Sequence, residues 1–234
     1  MTRGGSTLLA IAMVGAGYLS AMCTTPPNPS PSQKDRHKTD RISFVAGSYV
    51  TFIRRTAVTV ITYHALLTVV PDYAPAHVSQ FCPHPQNPTP SLFTWNSTTI
   101  ACLLAIYIGA FVRLSAFGGL GRHFTFHLAA PDELVTTGIY RWVQHPSYLG
   151  QALISVACTV LFVRWDGAPA CWIAGSTLAR WDGVGVWVAA AFMGFGLWVL
   201  VTRVRDEEEM LRQTFGKKWE EWHRKTSRAI PYIF

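Results

Sequence analysis

Charge is scarce in this 234-residue chain: Asp, Glu, Lys and Arg make up 14% of it. A typical soluble domain carries about 25%, so the composition argues against a water-soluble globular fold. Half the residues are hydrophobic and the mean hydropathy is +0.21, as an integral membrane protein requires. No Cys-x-x-Cys pair occurs, and the five cysteines (Cys23, Cys82, Cys102, Cys158, Cys171) are odd in number and scattered. Neither a disulfide framework nor a zinc site is therefore expected. His77, Cys82 and His84 lie close in sequence, but they lack a fourth ligand, and no metal is expected there. Residues 71–91 contain no Lys or Arg at all and are rich in Pro. The formal net charge of +7 sits beside apolar segments, so membrane orientation and anionic lipid account for it and nucleic acid is not an expected partner.

What is present is a series of apolar runs. A membrane-spanning helix needs roughly 20 mostly apolar residues. The first run, Thr7 to Cys23, has Arg3 before it and ends in small residues, which suits a signal anchor and a cleaved signal equally. Residues 24–43 read as a Pro-rich, then charged, linker unable to pack a core. Further runs cover about 44–70, interrupted by Arg54 and Arg55, then 92–117, 148–163 and 183–202. The reading is an all-α, polytopic membrane helix bundle of four to five spans. Residues 44–117 would form its N-terminal helices, and 118–234 a region with a helix hairpin and a polar C-terminal tail. Residues 32–55 carry six Lys/Arg against two Asp, and 203–234 carry eight Lys/Arg. The positive-inside rule then places 24–55, 118–147 and the tail in the cytosol, with 71–91 and 164–182 on the other side.

Two polar stretches thus share one membrane face. In "GIYRWVQHPSYLG", Pro146 disfavours the helical region for His145 and suits the first position of a helix itself. The next apolar helix should start there. The N–H groups of Ser147, Tyr148 and Leu149, with Gln144 and His145 beside them, would offer an anion site. The same stretch also reads as a Pro-started helix with an interfacial aromatic belt. In the tail, Arg203, Glu207, Leu211, Phe215 and Trp219 recur every four residues, one slowly drifting helical stripe. Arg203 and Glu207 form either a solvated i,i+4 pair or a cation that clamps a carboxylate and an acceptor for a hydroxyl or amine. Gly216 should end or kink this helix, and "IPYIF" should close the chain against the bundle.

The stretches "ELVTTGIYRWVQHPSYLG" (133–150) and "RVRDEEEMLRQTFGKKWEEW" (203–222), separated by a helical hairpin, resemble the isoprenylcysteine carboxyl methyltransferase family. The resemblance is specific over about 118–234 and general before that. It implies a multi-pass endoplasmic-reticulum membrane enzyme with a cytosolic C-terminal tail. Its activity would be the S-adenosylmethionine-dependent methylation of the C-terminal carboxylate of a prenylated cysteine, with membrane lipid and the prenylated chain as partners. By family position, Leu134, Val135, Tyr140, His145, Pro146, Ser147, Tyr148 and Glu207 would bind the cofactor, with His127, Asp132 and Glu133 on the same side. Arg203 would be the catalytic residue and, with Gln144, hold the substrate. Asp132 stands where the family has His, and Gln144 where it has Arg. Restoring Arg at 144 would be expected to strengthen the site. A terminal carboxyl has a pKa of about 3.3–3.7 and is ionised at neutral pH, so no general base is expected. Two other readings stay open on shared motifs: a phospholipid N-methyltransferase, and an NADPH-dependent sterol reductase, which has a similar "HP-x-Y" element, "RDEE" run and "IPYIF"-like ending. A third is a non-catalytic membrane protein on the same scaffold.

Overall fold

The computed structural model describes residues 2–38, 40–181 and 183–229; the "IPYIF" segment lies outside them. Among the described residues the elements are helices and short 3-10 turns, with one isolated β-bridge, as the all-α expectation requires. The longer helices are α1 (Arg3–Cys23), α2 (Ser48–Tyr73), α3 (Ser97–Leu120), α4 (Pro146–Leu161), α5 (Val184–Phe215) and α6 (Lys217–Lys225).

Among the described residues, three helices are long and apolar enough to cross a membrane: α1, α3 with its extension to His123, and α5. The hydropathy reading expects four to five. α4 is apolar but has only 16 residues, about 24 Å at 1.5 Å per residue, short of a ~30 Å hydrocarbon core. α2 has 26 residues but carries Arg54 and Arg55 near its start. α5 also departs from the hydropathy reading, because the helix does not stop where the apolar run stops at Thr202. It continues through the charged residues to Phe215 as one 32-residue rod. None of its apolar window is buried inside the chain, as befits a helix that turns its side chains to lipid.

Contacts divide the chain into two compact units. The first gathers Met1–Met22, Arg54–Tyr107 and Ile154–Phe195. Its core places Leu9, Met13 and Ala16 of α1 in one buried cluster with Ile61 and Ala65 of α2, Leu103 and Ile106 of α3, and Leu161 and Phe162. The spacing 9, 13, 16 is one face of a helix. Gly15 permits the close approach of Tyr107, whose Oη would stand 2.4 Å from a Cβ there and which donates to Ala12 O at 3.0 Å. His64 is fully buried, stacked on Phe93, with Nε2 2.9 Å from Leu92 O. The same unit overturns the reading of the cysteines: Cys82 and Cys171 form a disulfide across 89 residues. Both sulfurs are buried, and His84 N donates to Cys171 O at 3.1 Å. Spacing could not reveal the pair, because the folding of two distant loops makes it. Cys82 is thereby removed as a thiolate ligand beside His77 and His84.

The second unit gathers Cys23–Ile53, Ile108–Leu153 and Gly196–Phe234. Its apolar cluster is Leu128, Leu134, Met210, Leu211 and Trp219. Gly150 of α4 packs against α3, where a Cβ would come within 2.5 Å of Gly109 O. Gly216, at φ +51°, ends α5 and turns the chain into α6, as the sequence suggests. The segment read as a linker is instead a strap laid along this unit. Asn28 Nδ2 donates to Gly121 O (2.7 Å) and Phe124 O (2.9 Å), and His37 N donates to Leu128 O (2.8 Å). Polar bonds hold it along with the buried Ile42, so hydropathy gives little sign of it.

Candidate active site

In the second unit a cavity lies between the loop after α3, the start of α4 and the charged half of α5. α4 begins at Pro146, as proline's fixed φ dictates. The residue before it, His145, is held by the far end of the chain. Gln144 N donates to Ser227 O and His145 N to Arg228 O, both at 2.9 Å, around the isolated bridge Val143–Ser227. Two of the three amides expected to face an anion are otherwise engaged, which corrects the sequence reading for them. Tyr148 N and Leu149 N both donate to His145 O, at 3.2 and 3.3 Å. The carbonyl of His145 closes the first turn that the proline opens.

Of the residues the sequence points to, all but Asp132 line the cavity: His127, Glu133, Leu134, Val135, Tyr140, Gln144, His145, Pro146, Ser147, Tyr148, Arg203 and Glu207. Asp132 points to solvent, 80% exposed, and pairs with Arg122 at 3.4 Å. Glu133 is at the rim, 70% exposed. Gln144 is buried and its amide is committed. Nε2 donates to His223 O (3.1 Å) and Thr226 O (2.5 Å), and Oε1 lies 2.7 Å from His223 Nδ1. It fastens the 223–228 segment rather than offering a cation's place to an anion.

Glu207 and Arg203 lie in the cavity wall with different partners. Tyr148 Oη donates to Glu207 Oε2 at 2.5 Å, which joins the two sequence stretches directly. Arg203 is buried, its Nη1 donating to Asp40 Oδ1 (2.9 Å) and its Nη2 to Phe126 O (2.6 Å). His145 Nε2 is 3.2 Å from Glu208 Oε1, and Arg228 grips the same carboxylate with Nε and Nη2. The other ring nitrogen, Nδ1, is buried without a hydrogen-bond partner, 3.7 Å from Glu207 Oε1. His127 Nδ1 is likewise buried and unpartnered, its 4.0 Å to Asp40 being too long for a hydrogen bond. Burial lowers the pKa of His127, Arg36 adds to this and Asp40 opposes it. Burial, with Glu207 nearby, pushes the Tyr140 phenol well above its ordinary value, so it stays protonated and donates to Ala116 O at 3.3 Å.

Two features escape the sequence reading. Arg113, expected only near the end of a span, is buried. It donates from Nε to Cys23 O (2.8 Å) and from Nη1 to Ser147 O (3.0 Å) and Oγ (2.8 Å), fixing the first turn of α4. A charged residue inside an apolar run is the signal that could have found it. The apolar side of the cavity comes from Leu128, Met210, Leu211 and Trp222. Two of these, Met210 and Leu211, lie within the "EEEMLRQTF" run, three and four residues on from Glu207.

Residues 100–180 match the sequence profile of the isoprenylcysteine carboxyl methyltransferase (ICMT) family. That range contains the first of the two diagnostic stretches and stops before the second. Among curated proteins, the chain is similar to the protein-S-isoprenylcysteine O-methyltransferase of Dictyostelium discoideum, 30% identical over 62% of this chain and 53% of that one. It is also similar to the enzymes of that name from Saccharomyces cerevisiae (30%, over 61% and 52%) and Xenopus laevis (28%, over 60% and 42%). The chain spans about half the length of the curated relatives it matches. The resemblance read from the sequence is borne out, and the aminolipid and sterol alternatives find no support.

Proposed function

We propose that the chain methylates the C-terminal carboxylate of a prenylated cysteine, using S-adenosylmethionine, at a membrane surface. The observation that carries this is the meeting of the two diagnostic stretches in one cavity through the Tyr148–Glu207 hydrogen bond. The residues present suit the cofactor. In the tautomer that donates from Nε2 to Glu208, neutral His145 presents Nδ1 as an acceptor 3.7 Å from the Glu207 carboxylate. Two acceptors so close call for a donor between them, such as an ammonium or a ribose hydroxyl. Tyr140, Tyr148 and Leu134 supply ring faces and apolar surface for the remainder. Bound S-adenosylmethionine supplies an electrophilic methyl group.

The chain's own residues then have to bind, orient and exclude water. The substrate carboxylate is already ionised at neutral pH, and Tyr140, held protonated, is not needed as a base. Arg203, fixed by Asp40 and Phe126 and carrying five N–H donors in all, can hold the carboxylate. Removing water from that carboxylate raises its nucleophilicity, a matter of positioning rather than proton transfer. The same reading makes the C-terminal tail cytosolic and the membrane that of the endoplasmic reticulum. In that topology α2 and α4 cross as well, α4 with local thinning of the bilayer, and the Cys82–Cys171 disulfide supports an oxidising lumen around loops 71–91 and 164–182. Membranes containing the protein should transfer a radiolabelled methyl group to a farnesylated cysteine analogue. Absence of transfer, with a known enzyme of the family active in parallel, overturns the reading.

A further inference from the structure

Arg203 and Glu207 stand four residues apart on α5, the spacing at which opposite charges become neighbours on a helix. A buried guanidinium needs a carboxylate, and Glu207 is within easy reach. Yet among the described residues the two do not form an ion pair: Arg203 is bound to Asp40 and also meets Tyr148, whose hydroxyl donates to Glu207. Asp40 comes from the strap, 163 residues earlier in the chain.

We propose that Asp40 is a positioning residue that draws Arg203 away from Glu207, so that the cation and the anion of the cavity remain separately available. The inference rests on the methyl-transfer reading, in which Arg203 meets the substrate carboxylate and Glu207 the cofactor. Asp40 is itself rigidly placed. Its side chain is 4% exposed, and Oδ2 accepts from Leu128 N at 3.0 Å. The next residue, Arg41, pairs in the opposite sense: its backbone N donates to Asp206 Oδ2 (3.2 Å) and its Nε to Oδ1 (2.8 Å). Acid then base on the strap thus meets base then acid, three residues apart, on α5. A slip of the strap by one residue would oppose like charges, so the register is fixed electrostatically. His127, 4.0 Å from Asp40, is the other titratable group facing it. Without the Asp40 charge, the Arg203 guanidinium would fold onto Glu207, and one collapse would spend both binding groups.

The test uses the purified full-length protein with Asp40→Asn, which keeps an acceptor for Leu128 N and loses the charge, and with Asp40→Glu. Three quantities are measured: KM for a farnesylated cysteine analogue, kcat, and Kd for S-adenosylhomocysteine by calorimetry. Asp40→Asn should raise both KM and Kd about tenfold, the loss of one hydrogen bond to a charged group, with kcat less affected. Asp40→Glu should recover part of both. Arg41→Gln, which weakens the register of the strap without removing the partner of Arg203, should shift both constants clearly less than Asp40→Asn does. A fall in kcat alone, with KM and Kd unmoved, would mark a merely structural role and overturn the proposal, as would an equal effect of Arg41→Gln. If Asp40→Asn does not fold, Asp40→Glu carries the same comparison, with smaller shifts expected. Wild-type protein that binds S-adenosylhomocysteine but transfers no methyl group overturns the functional reading, and Asp40 is still judged on Kd. Wild-type protein that binds no S-adenosylhomocysteine overturns both.

Discussion

In the first unit the buried cluster around Met13, Ile61 and Phe162 is apolar but for the His64 ring packed against Phe162, and a disulfide ties two of its loops. In the second, Asp206, Arg203, Arg113, His127 and His145 are all buried, each held by named polar partners or left facing the cavity. Apolar packing tolerates changes of pH and salt and is felt mainly through volume. Buried charges are expensive unless every partner is present, and they are worth keeping where they bind something. The second unit has placed its chemistry where the first has placed its stability.

The strongest way to break this contrast is Arg203→Ala. Methyl transfer should fall about 10²–10³-fold, the usual cost of losing a preorganised charge donor, and the thermal transition in detergent should remain cooperative but move down, because Asp40 is left buried without its cation. Undiminished turnover would remove Arg203 from the chemistry. The converse change is Cys82→Ser. It should lower stability by about 2–4 kcal/mol, read as a lower Tm, and leave KM for the prenylcysteine analogue unchanged. A changed KM would mean that the first unit is no mere scaffold.

Gln144→Arg separates the two readings of that position. Family resemblance alone expects a gain in activity. The structure expects a loss, because the longer side chain breaks two or three buried hydrogen bonds, each worth about 1 kcal/mol, and frees the 223–228 segment. The ratio of turnover to wild type decides it. The smallest expected effect is that of pH. Burial lowers the pKa of both His127 and His223 in the folded protein, whereas in the unfolded chain the ordinary value is about 6.5. The unfolded state therefore binds more protons as pH drops through that value, and stability falls with it; above it these two residues contribute no pH dependence. Tm in detergent should fall from pH 7.5 to 5.5. In that range a flat profile would show that the second unit is less electrostatic than its contacts indicate.

Local signals were legible from the chain itself. Pro146 starts α4, Gly216 ends α5, and the four-residue spacing puts Arg203 and Glu207 in the same cavity wall. Each follows from one residue's own conformational limits or from helical period. What escaped depends on distant partners. Cys82 and Cys171 meet only when two loops fold together, and Asp40 sits in a polar segment with nothing periodic about it. The amides of Tyr148 and Leu149 were misread because a carbonyl one residue before the helix takes them. The two substitutions against the family pattern also divide. Asp132 faces solvent and is free to vary, whereas Gln144 has been built into the frame that holds the chain's last described turn.

The strap pairing has a consequence in time as well as in space. Asp40 and Arg203 are separated by 163 residues. At about 5–20 residues per second of synthesis, roughly 10–30 s pass between the two. Throughout that interval Asp40 exists without the partner that makes it useful, and the cavity cannot form. The acceptors at Ser227 and Arg228, on which the seating of His145 depends, arrive later still. Ribosome-bound chains should therefore bind no methyl donor until nearly the whole sequence has emerged, and competence for chemistry becomes one of the last things the growing polypeptide acquires.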